Sequence, residues 1–135
     1  MRVYIFEDDP SILKMLTLYL QNKGHQVQGF LDTYSCPLYE LDTCACPPDK
    51  PCAEAVLINS RKQHSDNIDF LVKQEKKGCK LTNPNKAVMS TSLTDEQVKK
   101  IRESGFSVIK KPFKLIQVEE WLRECAARLG LQAES

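Results

Sequence analysis

The sequence predicts an α/β protein in which parallel strands alternate with helices around a single sheet. Short apolar runs recur at residues 3–6, 56–58, 87–89 and 108–109, as expected for strands that are buried on both faces. Helical patterns separate most of these runs, and the connections are long enough for right-handed crossovers. With 135 residues and 41% hydrophobic composition, the chain is long enough for one domain with a core and too short for two.

The amino-terminal part predicts a strand, a helix and a second strand. We expect the first strand at residues 3–6 and a helix at 10–23, because proline is favoured at the first helical position. Asp9 is interpreted as the N-cap of this helix, and Gly24 stands where a left-handed C-cap residue is expected. Residues 25–30 alternate weakly and predict a second strand at the edge of the sheet.

After residue 53 the strand and helix patterns return in regular order. The predicted strands cover residues 55–59, 86–90 and 107–109. One helix is predicted at 68–77, and the next begins at a capping box formed by Thr94 and Gln97 and stops at Gly105. The last helix is predicted from an apolar stripe, which is expected to face the core: Leu115, Val118, Leu122, Cys125 and Leu129.

Polar residues at the ends of the strands predict where a site would form. Two acids follow the first strand, an amide ends the third, a hydroxyl follows the fourth and a lysine follows the fifth. Because ligands bind at the carboxyl ends of strands in open parallel sheets, these groups are expected to converge on one edge. They lie at residues 7–9, at Asn59, at residues 90–92 and at residues 110–111.

These residues resemble the motifs of response regulator receiver domains over nearly the whole chain. Glu7 and Asp8 resemble the acid pair that holds Mg²⁺, and Thr91, flanked by two further hydroxyls, resembles the hydroxyl of that family. Residues 111–113 resemble its lysine-proline-phenylalanine, and residues 66–68 resemble the opening of its third helix. The resemblance implies a flavodoxin-like (βα)5 sandwich whose parallel strands have the order 2-1-3-4-5.

The decisive departure from the receiver motif is Asn59. In the family this position is the aspartate that accepts a phosphoryl group, and the reaction needs a carboxylate oxygen as the nucleophile. An amide oxygen is neutral and far less nucleophilic, so Asn59 is not expected to form an acyl phosphate. Residues 62–63 also differ from the family's methionine-proline, which argues against a single aspartate-to-asparagine change in an ordinary receiver.

A second departure concerns the relay that transmits phosphorylation in the family. Receivers commonly have an aromatic residue three positions before the lysine, and this chain has Val108 there. Both departures favour a pseudo-receiver that requires no cofactor. Two interpretations of the acidic edge stay open, because Glu7, Asp8 and Lys111 can form a structural salt-bridged cluster or the two acids can keep a weak Mg²⁺ site.

Residues 33–53 hold four cysteines and four prolines, with room for only a short helix at 34–41. The spacing C-x7-C-x-C-x5-C matches neither zinc fingers nor ferredoxins, but a tetrahedral Zn²⁺ would close a loop that has few apolar residues. There are two alternatives. Cys52 and Cys79, which precede neighbouring strands, can form a redox pair, or the cysteines are plain thiols. The candidate zinc ligands are Cys36, Cys44, Cys46 and Cys52.

Composition limits the function further. The 19 basic and 18 acidic residues give a net charge of +1, so nothing predicts direct contact with nucleic acid. No apolar run approaches the length of a membrane span, and a strand begins at once. We therefore expect no signal peptide and no membrane association, and we expect a cytoplasmic location. His25 and His64 are isolated and are expected in surface or loop positions.

The predicted organisation is one receiver-like domain at residues 1–130, with a tail at 131–135. We expect a non-enzymatic module of a bacterial two-component pathway, a phosphorelay, that is not phosphorylated at Asn59 and acts by binding a protein partner. The alternative is a metal or redox sensor in which residues 36–52 are the input and the scaffold is the output. A third hypothesis is that the chain is the first part of a longer regulator.

Overall fold

Strands and helices alternate along the chain. The computed structural model describes residues 1–31, 53–59, 71–73, 75–78, 81–90, 94–110 and 114–130. The strands in this part are β1 (Arg2–Glu7), β2 (Gln26–Phe30), β3 (Ala55–Asn59), β4 (Lys86–Ser90) and β5 (Ser107–Lys110). The helices are α1 (Pro10–Asn22), α2 (helical residues 71–73 and 75–76), α3 (Asp95–Glu103) and α4 (Leu115–Arg128), and a short 3-10 turn lies at Asn83–Asn85.

The predicted strand order is confirmed. The strands form one parallel sheet with the order β2-β1-β3-β4-β5. In the pairing of β1 with β3, Glu7 stands opposite Asn59, and in the pairing of β4 with β5, Ser90 stands opposite Lys110. The carboxyl ends of the strands therefore meet at one edge of the sheet, which we call the carboxyl edge. The opposite end is the amino edge.

Apolar layers cover both faces of the sheet. Because side chains alternate along a strand, each central strand sends residues into both layers, which explains why these strands read as continuous apolar runs. The layer beneath α1 and α4 includes Ile5, Leu57, Met89, Leu16 and Leu122, all of them buried. The layer beneath α2 and α3 includes Phe6, Ile58, Val88, Leu71 and Ile101, which are buried as well.

Two helix starts have the capping predicted for them. Asp9 caps α1, since its Oδ1 accepts hydrogen bonds from the backbone nitrogens of Ser11 at 2.9 Å and Ile12 at 3.3 Å. At α3, the Thr94 hydroxyl accepts a hydrogen bond from the Gln97 nitrogen at 3.2 Å, and the Gln97 side chain accepts one from the Thr94 nitrogen at 2.9 Å. These bonds satisfy backbone donors that an α-helix leaves open at its first turn.

The other predicted elements agree in type and nearly in length. Each described strand begins and ends within one residue of its predicted bounds. The predicted helix at 34–41 and the first residues of the helix predicted at 68–77 lie outside the described residues. None of the helices in the described ranges combines the length and the apolar character that crossing a membrane requires.

His25 lies in the loop before β2, one of the two kinds of position expected for it, but it is not a surface residue. Its side chain is buried, and its Nδ1 atom lies 3.2 Å from the backbone nitrogen of Met1. The reason is the sheet register. Gln26 pairs with Arg2, so the residue before β2 lies alongside the first residue of the chain. This contact is between residues far apart in sequence, and local alternation does not report it.

A hydrogen-bond network around Asn85 fixes the end of α4 to the amino edge. Asn85 is fully buried, and its Nδ2 donates to the carbonyl oxygens of Glu54 at 3.0 Å and Cys125 at 3.2 Å. Its Oδ1 accepts a hydrogen bond of 2.6 Å from Nε of Arg128, whose Nη2 also donates to the Pro84 carbonyl at 2.9 Å. The network joins β3, the 3-10 turn and α4 with all of the Asn85 side-chain polar atoms in use.

Replacing Asn85 by alanine should destabilise the fold. We expect the free energy of unfolding to fall by about 2–3 kcal/mol, because Arg128 and two buried carbonyl groups lose their partner. Asn22→Ala, at an exposed position of α1, is the matched control and should change stability by less than about 0.5 kcal/mol. Denaturant unfolding measures both variants, and a loss for Asn85→Ala no larger than that of the control would show that the network is not stabilising.

Candidate functional site

Two adjacent acids stand at the carboxyl end of β1. Glu7 is the last residue of the strand and is fully buried, and its Oε2 accepts a hydrogen bond of 3.2 Å from the Asp9 nitrogen. Asp8 follows in the turn to α1, with an Oδ1 atom that is shielded from solvent. Asp9 is used as the N-cap of α1. The turn therefore keeps Glu7 and Asp8 at the edge of the sheet and assigns the third acid to the helix.

The backbone of residue 59 lies next to this acid pair. β3 ends at Asn59, as predicted, and Asn59 is the direct neighbour of Glu7 in the ladder between β1 and β3. Neighbouring strands lie about 4.8 Å apart, so the two main chains are in contact through the ladder. No residue of β3 carries a carboxylate, since its sequence is Ala-Val-Leu-Ile-Asn. The central strand thus delivers an amide residue, and no acid, to the carboxyl edge.

Two other predicted site residues follow the remaining strands. Thr91 is the residue after Ser90 at the end of β4, and Lys111 is the residue after Lys110 at the end of β5. Ser90 and Lys110 are paired, so the chain leaves both strands at the same edge as β1 and β3. Thr91 and Lys111 themselves lie outside the described residues, as do residues 66–68. Their roles stay predictions.

The predicted thiol site lies outside the described residues. This holds for Cys36, Cys44, Cys46, Cys52 and Cys79. Ala53, which directly follows Cys52, is buried in the layer beneath α2 and α3 and precedes β3, so the chain enters this strand from the amino edge. Within the described ranges, no group of three or more His, Cys, Asp or Glu side chains is arranged to hold a metal ion. The zinc site and the weak magnesium site both stay predictions.

Cys125 is a core residue, as predicted. Its side chain is fully buried beneath the sheet, and Nη2 of Arg128 donates to its sulfur at 3.3 Å. Burial raises the pKa of the Cys125 thiol to about 12, although the positive charge of Arg128 acts in the opposite direction. The thiol is therefore protonated at neutral pH, and this cysteine is not a reactive one.

β5, which ends at the carboxyl edge, contains no aromatic residue. β5 has the sequence Ser-Val-Ile-Lys, and Val108 pairs with Val88 and packs, partly buried, against the layer beneath α2 and α3. Phe106 precedes the strand and is buried in the same layer. A branched aliphatic side chain in this position has no ring that can exchange between a buried and an exposed rotamer.

Two buried charged side chains escaped the predictions from sequence. Lys86 begins β4 and is fully buried, and Glu119 in α4 is 4% exposed. The carboxylate of Glu119 accepts hydrogen bonds from the Tyr19 hydroxyl at 3.0 Å and from Arg123 Nη2 at 3.4 Å, which joins α1 to α4. The bond to Glu119 raises the pKa of the Tyr19 hydroxyl. The sequence offered one positional signal for each of them. Glu119 directly follows Val118 of the buried stripe, and Lys86 lies two residues before Val88, on the same face of the strand.

Several solved structures of response regulator receiver domains are similar to this chain. A response regulator receiver protein from Pseudoalteromonas atlantica matches with a TM-score of 0.74 at 16% identity, over 95% of this chain and 98% of that chain. The receiver domain of the Francisella response regulator 1452 matches with a TM-score of 0.69 at 17% identity, over 94% and 97% of the two chains. A candidate pilus assembly protein from Burkholderia thailandensis matches with a TM-score of 0.68 at 13% identity, over 94% of this chain and 98% of that chain.

These similarities establish the fold. The chain has the flavodoxin-like fold of response regulator receiver domains, with the same parallel order of five strands. A scan against protein-family models and a search of the curated proteins each found no match. The function of the site is therefore inferred from its own residues.

Cys125 should resist alkylation in the native protein. Because the thiol is buried and protonated, we expect iodoacetamide at mildly alkaline pH to leave it unmodified, whereas the unfolded chain reacts there as an ordinary thiol does. Mass spectrometry of the peptide that contains Cys125 measures both states. Equal modification of native and unfolded protein would contradict its assignment to the core.

Proposed function

We propose that this chain is a receiver-like signalling domain that works without phosphorylation at Asn59 and acts by binding a protein partner in a bacterial two-component pathway. The observation that carries the proposal is the register of the sheet, which places an amide residue beside Glu7 at the carboxyl edge. The receiver fold and the acids at the end of β1 support the class of protein. The neutral residue 59 supports the loss of phosphoryl chemistry.

The chemistry of an acyl phosphate explains why residue 59 decides the function. A carboxylate oxygen attacks the phosphorus in line, while a metal ion and a lysine neutralise the charge that develops. An amide in the same place is a poor nucleophile and also removes one anionic ligand from the edge. Any Mg²⁺ held by Glu7 and Asp8 would therefore be bound weakly and would have no phosphoryl transfer to assist. We propose that the domain requires no cofactor and catalyses no reaction.

The output is also proposed to be independent of phosphorylation. In receivers an aromatic ring near the end of the fifth strand follows the state of the acceptor, and this chain has Val108 in that position. With neither nucleophile nor ring, the domain presents one constant surface. A fixed adaptor or scaffold fits this pattern better than a switch.

Exposed apolar side chains on α1 and α4 support a protein partner. Met15 and Leu18 lie one turn apart on α1 and are 46% and 51% exposed, and Ile116 in the first turn of α4 is 45% exposed. The two helices are joined through Tyr19 and Glu119, so these side chains belong to one pair of helices. The near-neutral net charge of the chain favours a protein partner over nucleic acid or a membrane, and we propose a cytoplasmic location.

The wild-type chain should not be phosphorylated by a small-molecule donor. We expect incubation with acetyl phosphate and Mg²⁺ to give no base-labile phosphoryl adduct by intact mass, because the strand ends in an amide. The matched variant is Asn59→Asp, which restores a carboxylate at the end of β3 and should acquire one phosphoryl group if the surrounding edge is competent.

The two proteins together make the result interpretable. An adduct on Asn59→Asp and none on the wild type would trace the loss of chemistry to residue 59. A stoichiometric adduct on the wild type, located on Asp8 or Asp66, would overturn the proposal.

A second candidate function is the sensing of metal or redox state through the cysteine-rich segment. The observation that favours it is the junction of this segment with the core, because Ala53 is buried and the Glu54 carbonyl accepts a hydrogen bond from Asn85. A change at residues 36–52 would therefore act next to the network that holds α4. In this reading Cys36, Cys44, Cys46 and Cys52 bind Zn²⁺, or Cys52 and Cys79 form a disulfide.

Elemental analysis separates the second candidate from the first. If the segment is a metal sensor, protein purified without chelator should contain about one zinc ion per chain, and the paired variant Cys44→Ser, Cys46→Ser should lose it. A variant with Cys125→Ser is the control and should keep the metal, because that thiol is in the core. A metal-free wild-type protein whose stability is indifferent to oxidant would remove this function.

A further inference from the structure

β2 forms one edge of the sheet in the described part of the chain. The strand order places it at the end of the sheet, with β1 as its neighbour on one side and no described strand on the other. A strand edge of this kind presents a row of backbone N–H and C=O groups that can pair with another strand. Proteins usually protect such an edge with charged residues, with proline or with a bulge.

β2 has none of these protections. Its sequence is Gln-Val-Gln-Gly-Phe, which contains neither a charged residue nor a proline, and it pairs with β1 in an unbroken register. Gln26, Gln28 and Gly29 are exposed, and Leu31, directly after the strand, is 52% exposed. The strand at the opposite edge, β5, ends in Lys110. The edge at β2 is therefore the one that is chemically suited to pair with a further strand.

The open backbone groups of β2 belong to Val27 and Gly29. The backbone nitrogen of Gln26 donates to the Met1 carbonyl at 2.8 Å, so Gln26 bonds towards β1. The direction of the backbone groups alternates along a strand, so every second residue bonds to β1 and the residues between them point away from it. Val27 and Gly29 thus direct their N–H and C=O groups outward, along the plane of the sheet.

Packing on both faces holds this edge in an extended conformation. On one face, a Cβ atom added at Gly29 would lie 2.8 Å from Cδ1 of Leu13, so α1 packs directly against the backbone there. Val27 packs against the layer beneath α1 and α4. On the other face, the ring of Phe30 stacks on Phe6 with 4.9 Å between the ring centroids. A strand that is already ordered loses little conformational entropy when another strand pairs with it.

We propose that β2 pairs with β2 of a second copy of this chain, in antiparallel orientation about a two-fold axis at Gln28, so that the two sheets become continuous. In this register Val27 of each copy stands opposite Gly29 of the other and exchanges both backbone hydrogen bonds with it. The outward groups of both residues are then all used. The side-chain amide of Gln28 stands opposite its own copy, where it can both donate and accept a hydrogen bond.

Self-complementarity favours a second copy over another protein. A two-fold interface requires a surface that matches itself, and β2 does so in both hydrogen bonding and charge. Gln26 stands opposite Phe30 of the other copy, so no like charges meet where the strands pair. The proposal goes beyond the function proposed for the carboxyl edge and does not depend on Asn59, because β1 separates β2 from β3.

A charged substitution at Gln28 tests this pairing. Sedimentation velocity is measured on the full chain, kept reduced to exclude intermolecular disulfides, at concentrations up to about 1 mM. We expect the wild type to be in equilibrium between monomer and dimer. Gln28→Lys should raise the dimer dissociation constant at least about tenfold, because two ammonium groups then stand opposite each other. Asn22→Lys adds the same charge at an exposed position of α1 and should leave the constant unchanged.

A charge swap protects the test against an effect of the substitution on the monomer. Gln28→Glu alone should weaken the dimer as Gln28→Lys does, whereas an equal mixture of the two variants should dimerise at least as tightly as the wild type, because opposite charges then face each other. The proposal is overturned if the wild type stays monomeric up to about 1 mM. It is also overturned if neither variant weakens the dimer, if Asn22→Lys weakens it equally, or if the mixture does not restore it.

Discussion

The pairing of β1 with β3 is the constraint on which the structure of the carboxyl edge depends. This register sets Ile5 beside Leu57 in one apolar layer and Phe6 beside Ile58 in the other, and it brings Glu7 beside Asn59. A slip of one residue would exchange the faces of a whole strand and bury it wrongly, so core packing enforces the register. The position of the amide beside the acids is therefore a consequence of the buried apolar residues behind it.

The two ends of the sheet have different chemistry. The carboxyl edge has two adjacent acids, Glu7 and Asp8, and, at residue 59, no carboxylate. The amino edge has a fully bonded asparagine, the arginine that closes α4 and a buried lysine. The cysteine-rich segment lies in sequence between the end of β2, at the carboxyl edge, and the start of β3, at the amino edge.

Much of this fold was predictable because its central strands are buried on both faces. Continuous apolar runs gave the positions of β1, β3, β4 and β5 within one residue, weak alternation gave β2, and side-chain capping gave the starts of α1 and α3. The strand order came from the resemblance to receiver domains, and the structure confirms it. The groups that were not predicted are those set by contacts between distant segments. His25 is covered by the first residue of the chain, and Asn85 is bonded to α4 more than 40 residues away. Local periodicity does not show such contacts between distant residues.

We propose that the carboxyl edge has the backbone arrangement of a receiver domain and, with an amide at residue 59, no phosphoryl acceptor. Hydrogen exchange of the backbone amides at the ends of β3, β4 and β5, measured in the presence of Mg²⁺ with and without acetyl phosphate, tests this claim directly on the native chain. The account predicts identical exchange rates under the two conditions. Slower exchange at these strand ends when the donor is present would show that the edge still responds to phosphoryl transfer, and would contradict it.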